Sequence, residues 1–169
     1  MFVPEGGSNE FAQRGLFELG VEIAEQSNSD VIACAIGSGG TISGLLDALP
    51  NQRFIGVAAV NDEPLLASLK QKYGERLDID TSTLFGGYGK SNDRLNAFCL
   101  DFFKQTRIPI EPVYTGKLFY YLCHSGEFKN GKEKVLAIHT GGLQGLKGLD
   151  YRHQSQPSVW RPIIEQLDV

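Results

Sequence analysis

The run Gly37-Ser38-Gly39-Gly40-Thr41 puts glycines and hydroxyls side by side, a composition suited to holding a phosphate group. A phosphate needs several N–H donors converging from a tight turn, and glycine lets the backbone approach with no side chain in the way. A helix opening at Thr41 would add unpaired amides and the positive end of its dipole, while the hydroxyls of Ser38 and Thr41 can bond phosphate oxygens directly. The wording of a nucleoside-triphosphate loop, G-x-x-x-x-G-K-[ST], is absent here. The dinucleotide fingerprint also fails, because it expects glycine or alanine at position 42 and finds Ile42. Asp62 does stand where a ribose-binding acid would sit, so a nucleotide-dependent enzyme stays open as an alternative, as does a glycine turn that binds nothing.

Two further glycine- and hydroxyl-bearing loops lie downstream. Gly86 to Ser91 carries Tyr88, and His139-Thr140-Gly141-Gly142 carries Thr140, while Tyr114 and Thr115 follow the extended segment at Pro112. Hydroxyls suit the orientation of a ligand ring or heteroatom. An isolated loop threonine is ordinarily a cap or turn residue. His139 reads as a structural histidine with satisfied ring nitrogens, and Lys90 and Lys117, each beside a glycine, read as exposed side chains. No Ser-His-Asp order stands out, and the three histidines lack metal-ligand spacing.

These loops need elements to hold them. Phe11, Leu16, Leu19 and Ile23 recur at near-helical spacing, which predicts an amphipathic helix from Asn9 to Gln26. Val31 to Ile36 has no polar alternation and stops at glycine, the pattern of a strand buried on both faces. A helix from Thr41 to Leu49, a strand from Phe54 to Val60 and a helix from Pro64 to Tyr73 follow in order. Asn92 or Ser91 is suited to cap a helix reaching about Gln105. Pro109 and Pro112 enforce an extended connection. Leu118, Tyr121, Leu122 and Phe128 mark another helix, Val135 to Ile138 a last strand, and Tyr151 to Pro162 an irregular polar tail with Trp160 as an anchor. Strands alternating with helices predict one α/β domain spanning 1–169, a three-layer α/β/α sandwich on a mainly parallel, twisted sheet. In such a fold the loops after the strands build the binding crevice, so the three loops should converge.

Composition narrows the partners. A chain of 169 residues with 41% hydrophobic content is long enough for one domain with its own core. Its formal charge of -4, from 16 basic and 20 acidic residues, offers no footprint for nucleic acid or for an anionic membrane surface. Cys34, Cys99 and Cys123 show no C-x-x-C spacing, which suits reduced thiols in a cytoplasmic protein. No segment reaches the ~20 apolar residues that span a bilayer, and the N-terminus lacks a signal-peptide pattern. The opening Met1-Phe2-Val3-Pro4-Glu5 reads as mid-domain text, so a segment is expected ahead of it.

Taken together, Val3-Pro4-Glu5-Gly6-Gly7-Ser8-Asn9, Ala35 to Gly44, Gly87-Tyr88-Gly89, Pro112 to Lys117 and His139 to Gly142 resemble the 1-aminocyclopropane-1-carboxylate deaminase and D-cysteine desulfhydrase family. These are fold-type II pyridoxal-phosphate enzymes related to the tryptophan synthase β subunit, and the match runs in order from Val3 to about Gly148, covering only the C-terminal part of such an enzyme. The resemblance implies pyridoxal 5'-phosphate as cofactor and a small amino acid as substrate. It assigns Gly37, Ser38, Gly39, Gly40 and Thr41 to the cofactor phosphate, Thr115 to the pyridine nitrogen, Thr140 to the cofactor's surroundings, and Tyr114 and Tyr88 to the substrate as the catalytic pair. The deaminase branch is similar in having glutamate and leucine at positions 115 and 140, whereas the desulfhydrase branch has hydroxyl residues at both. Threonine at both implies β-elimination from a D-cysteine-like amino acid to sulfide, pyruvate and ammonia, with 1-aminocyclopropane-1-carboxylate deamination as the alternative.

The family's imine-forming lysine, its asparagine near the phenolic oxygen and its serine-bearing substrate loop lie upstream of the matched segment. The resemblance therefore implies that this chain by itself is inactive, a covalent step needing its nucleophile. A non-catalytic phosphate-binding module is the competing expectation. Unpaired sheet edges and exposed apolar surface further imply a homo-oligomer, a dimer or larger, or association with the lysine-bearing segment.

Overall fold

The computed structural model describes residues 9–128, 130–152 and 159–167. Its elements are α1 (Glu10–Gln26), β1 (Val31–Ile36), α2 (Gly40–Ala48), β2 (Arg53–Ala58), α3 (Glu63–Tyr73), β3 (Leu77–Asp80), α4 (Asp93–Thr106), α5 (Thr115–His124), β4 (Val135–Ala137), α6 (Gly145–Arg152) and α7 (Arg161–Leu167). Asparagines start two of the helices. Asn9 Oδ1 accepts from the Ala12 amide at 2.9 Å and Asn92 Oδ1 from the Leu95 amide at 3.0 Å, each satisfying a donor that the helix cannot.

The sheet has four parallel strands in the order β3-β2-β1-β4. All of β1 is buried, as its unbroken apolar run predicts. Alternation sends its side chains to opposite faces. Ile32, Cys34 and Ile36 pack with Ile42, Leu45 and Leu46 of α2 and with Leu66 and Leu69 of α3. Val31, Ala33 and Ala35 pack with Ile55 and Val57 of β2 and Leu118 of α5. Helices thus cover both faces of a parallel sheet, the three-layer arrangement expected of strands joined by helical crossovers.

A second apolar cluster lies beyond α5. Leu95, Cys99 and Phe103 of α4 meet Leu146 and Leu149 of α6, Ile163 of α7 and Trp160, which is 3% exposed. Trp160 is therefore the anchor its isolation in a polar stretch suggests. The tail around it is more regular than its composition predicts: α6 continues to Arg152 and α7 starts at Arg161. Burial of Ile163 against the α4 cluster supplies what local propensity does not.

Other boundaries also differ from the sequence reading, α5 ending at His124 short of Phe128. β2 ends at Ala58, before Val60, and β4 at Ala137, before Ile138, although the Ile138 amide still donates to the Ala33 carbonyl at 2.8 Å. β3 has no counterpart in the sequence reading at all. Its Leu-Asp-Ile-Asp wording is short and half charged, and it becomes a strand because Leu77 is buried against the core while Asp78 faces outward at the sheet edge.

The opening segment Val3 to Ser8 of the family-like wording lies outside the described residues.

Candidate functional site

The turn after β1 is built as the glycines require. Gly39 caps α2 with φ of 81°, a left-handed conformation that a side chain disfavours. The first intrahelical bond of α2 runs from the Ser43 amide to the Gly39 carbonyl at 3.0 Å, so the amides of Gly40, Thr41 and Ile42 precede the helix's own hydrogen-bond ladder. α2 begins at Gly40, one residue before the sequence-predicted start, which adds one such amide to the turn.

Those donors face a cleft of about 310 Å³ at the carboxyl ends of the strands, lined by Gly37 to Ile42, Tyr114, Thr140, Gly142 and Gln144. The five residues of the turn, Tyr114 and Thr140 are thus brought to one place. A larger hollow of about 480 Å³ lies on the other side of the same turn, among Leu16 of α1, Leu65, Leu69 and Lys72 of α3 and Asp47 of α2. Ser38 to Thr41 border this hollow too, but its remaining walls are helix flanks, whereas the smaller cleft adds Ala35 of β1, Tyr114 and Thr140 at the strand ends, where parallel-sheet proteins place their ligands.

Tyr114 is the pivot of this cleft. A Cβ added at Gly37 would stand 2.8 Å from its Cε1, so the ring rests directly on the turn. On its other side Tyr88 lies with ring centroids 5.9 Å apart, itself 65% exposed. Burial, reinforced by the hydrogen bond to Tyr88, pushes the Tyr114 phenol up to about 12.

Two predicted contacts do not line the cleft: Tyr88, which reaches it only through Tyr114, and Thr115. Thr115 is fully buried, with Oγ1 accepting from the Glu111 amide at 3.0 Å and lying 3.2 Å from Glu111 Oε1. Glu111, which the sequence reading passes over, organises the start of α5. Its carboxylate accepts from the amides of Val113 at 2.5 Å, Tyr114 at 2.8 Å and Thr115 at 2.8 Å. Burial lifts its carboxyl above the ordinary range while these bonds pull it back. An acid just upstream of a helix start was the available signal, hidden because Pro112 separates it from the helix.

The remaining candidates sort cleanly. His139 Nδ1 accepts from the Gly141 amide at 3.1 Å, which leaves Nε2–H to donate to the Pro109 carbonyl at 2.8 Å, a structural role on both ring nitrogens. Asp62 Oδ1 accepts from the Leu65 amide at 3.0 Å and caps α3. Lys90 is exposed, as expected. Lys117 is not: it is fully buried, its Nζ donating to the carbonyls of Gly87 at 2.7 Å and Ala59 at 3.1 Å. Among the described residues, no group of three or more His, Cys, Asp or Glu is arranged to hold a metal ion, and no helix is long and apolar enough to cross a membrane.

A parallel sheet with a glycine-rich turn after its first strand and a tyrosine laid over that turn defines an α/β domain with a cleft at its strand ends. Comparison with known proteins makes the kinship specific. No family model matches the chain. It is 30% identical over 164 residues to a Thermotoga maritima protein provisionally named 1-aminocyclopropane-1-carboxylate deaminase, covering 85% of this chain and 52% of that one. It is 32% identical over 164 residues to a Pyrococcus furiosus protein of the same provisional name, covering 85% and 50%. The crystal structure of an ACC deaminase homologue superposes with a TM-score of 0.68 at 31% identity, covering 85% of this chain and 49% of that one. Threonine deaminase isoform 2 of Solanum lycopersicum, in its processed form, shares the fold alone, with a TM-score of 0.52 at 20% identity, covering 88% and 49%. The chain is homologous to proteins provisionally named 1-aminocyclopropane-1-carboxylate deaminase, and it spans about half the length of the curated relatives it matches.

Proposed function

We propose that this chain forms the phosphate-holding part of a pyridoxal-phosphate-dependent lyase acting on a small amino acid. The observation that carries the reading is the convergence of the Gly37–Thr41 turn, Tyr114 and Thr140 on one cleft at the strand ends. The donor set fits the group: amides of the first turn of α2 and the Thr41 hydroxyl suit a phosphate monoester, and the absence of a Cβ at Gly37 leaves the Tyr114 ring seated against the turn. When bound, pyridoxal phosphate supplies an electron sink for bond cleavage next to an amino group. The chain's own residues bind and orient. The turn fixes the phosphate, Thr140 offers a hydroxyl at the rim, and Tyr114, backed by Tyr88, stands on the substrate side with its phenol protonated at neutral pH.

The resemblance at positions 115 and 140, threonine at both, favours β-elimination from a D-cysteine-like amino acid over deamination of the cyclopropane, Thr140 lining the cleft and Thr115 lying buried behind it. Thr115 carries no charge, and the nearby Glu111 carboxylate is committed to three backbone amides and the Thr115 hydroxyl. On this reading the imine-forming amine comes from a segment beyond the motifs matched here, and the chain alone binds without turnover. The burial of Lys117 between two carbonyls supports that division, since a lysine committed in this way is poorly placed to attack a cofactor aldehyde.

The test adds pyridoxal phosphate to the chain, follows saturable binding by absorbance, and reduces with borohydride. Binding competed by inorganic phosphate, with no stoichiometric phosphopyridoxyl-lysine, is the expected result. A stoichiometric adduct on one lysine of this chain would overturn the division of labour, and phosphate-independent binding would overturn the cradle. Supplying the lysine-bearing segment of a relative in trans and assaying pyruvate and sulfide from D-cysteine then tests the substrate class. Release of pyruvate's homologue from 1-aminocyclopropane-1-carboxylate, without sulfide from D-cysteine, would reassign it.

A further inference from the structure

Lys117 stands in the first turn of α5 with none of its side chain exposed, yet it does not line the cleft. An ammonium taken out of water is costly unless its protons are paired. Here the pairing joins three separate parts of the chain. Ala59, one acceptor, follows β2 directly, and its own amide donates to the Ile36 carbonyl at 2.9 Å at the end of β1. Gly87, the other, immediately precedes Tyr88 and has φ of 100°, a conformation that suits glycine and fixes how its carbonyl is presented.

The turn around Tyr88 is otherwise held mainly to itself. The Gly87 amide donates to the Leu84 carbonyl at 3.0 Å and the Lys90 amide to the Gly87 carbonyl at 3.3 Å, both inside the same few residues. Its start is packed, with Leu84 against the sheet core and Phe85 on Tyr120 at a centroid distance of 5.0 Å, and at Gly87 the Lys117 bond ties the turn to the framework. Lys117 lies three residues after Tyr114 on the same helical turn, so one rigid element carries both the tether and the ring that Tyr88 meets.

We propose that Lys117 is a positioning residue: its Nζ ties the 84–90 turn to α5 through the Gly87 carbonyl and so sets Tyr88 against Tyr114 beside the cleft. It acts through Gly87 and touches no ligand. The importance of the tyrosine pair rests on the proposed function, whereas the tether does not. Burial pushes the ammonium down to about 8 while the field of Glu111 raises it, and a neutral amine keeps two N–H donors, so the bridge persists on either side of that value.

The experiment uses the full chain and no cofactor, so its outcome is independent of whether pyridoxal phosphate binds. Lys117→Met keeps the buried length and removes the donors. With far-UV circular dichroism unchanged, amide exchange at residues 86–90 should accelerate tenfold or more, and the Tyr114 phenol, followed by ¹³Cζ-tyrosine NMR, should titrate well below about 12, toward the ordinary tyrosine value. A folded variant whose Tyr114 titration and 86–90 exchange match the parent would overturn the proposal. Should Lys117→Met not fold, the unmodified chain decides: ¹⁵N-lysine NMR must show an Nζ group protected from exchange, with contacts to the Gly87 α-protons. A solvent-like Nζ without those contacts would overturn it equally.

Discussion

The Tyr114 ring rests on Gly37 so closely that a single added Cβ would come within 2.8 Å of the ring edge. This contact joins the end of β1 to the start of α5 and closes one wall of the cleft. Replacing Gly37 by alanine must displace either the ring or the turn. We expect Gly37→Ala to retain the fold and to weaken phosphate and pyridoxal-phosphate binding at least tenfold, read by absorbance titration. Gly37→Ala combined with Tyr114→Ala should recover part of that loss, because the collision is then gone. A Gly37→Ala chain that binds like the parent would mean the turn does not hold the phosphate.

Removing the Glu111 carboxylate leaves buried donors without acceptors. Glu111→Ala strands the buried amide of Thr115 and the half-buried amides of Val113 and Tyr114, and an unsatisfied buried group costs about 1–3 kcal/mol. Relaxation and water entry reduce the sum, so a loss of ~3 kcal/mol or more in urea unfolding is expected. A shift in midpoint equivalent to well under ~1 kcal/mol would show that the cap contributes little.

Cys34 gives a pH dependence of definite sign. Burial pushes its thiol up to about 12, so in alkali the folded chain keeps a proton that the unfolded chain has lost. Stability carried by the protonated thiol is complete below the ordinary thiol value of 9.0 and is lost as pH rises above it. Cys99 is raised by burial as well and acts in the same direction. Cys34→Ala should therefore make the alkaline decline shallower, by up to about 1.4 kcal/mol per pH unit for one proton. Urea melts from pH 8 to 10.5 would measure it, and parallel declines in parent and variant would contradict the assignment.

Tyr88→Phe removes the hydrogen bond to Tyr114 and leaves its burial in place. The Tyr114 phenol should then fall part of the way from about 12, staying above the ordinary 10.0 because burial is the larger cause. Tyrosinate absorbance against pH, with Tyr114→Phe identifying the band, is the measurement. No change on removing the Tyr88 hydroxyl would mean the two phenols do not communicate.

Truncating Trp160 to alanine should cost about 3–5 kcal/mol, since the indole is buried among Leu95, Phe103 and Ile163 and leaves a cavity that helices cannot readily close. As the chain's one tryptophan, it also reports its own environment. Its fluorescence in the parent should be blue-shifted when folded and move to the red on unfolding, and a solvent-like spectrum in the folded chain would contradict its burial.

The sequence by itself determined the parallel α/β layering, because the unbroken apolar run Val31 to Ile36 has no stable place except between two covered faces. It also determined the glycine turn after β1, since glycine readily accepts the φ of 81° at Gly39 and the close approach at Gly37, and local geometry of that kind is written in residue type. Tertiary structure alone decided what Lys117, Glu111, Thr115 and β3 do. A lysine beside a glycine looks exposed until two carbonyls from distant segments are folded over it, and an acid before a proline looks like a surface charge until three amides turn toward it. Leu77 to Asp80 pairs only because β2 presents an edge to it. These assignments depend on partners tens of residues away, and local pattern carries no record of which partners the folded chain will bring near.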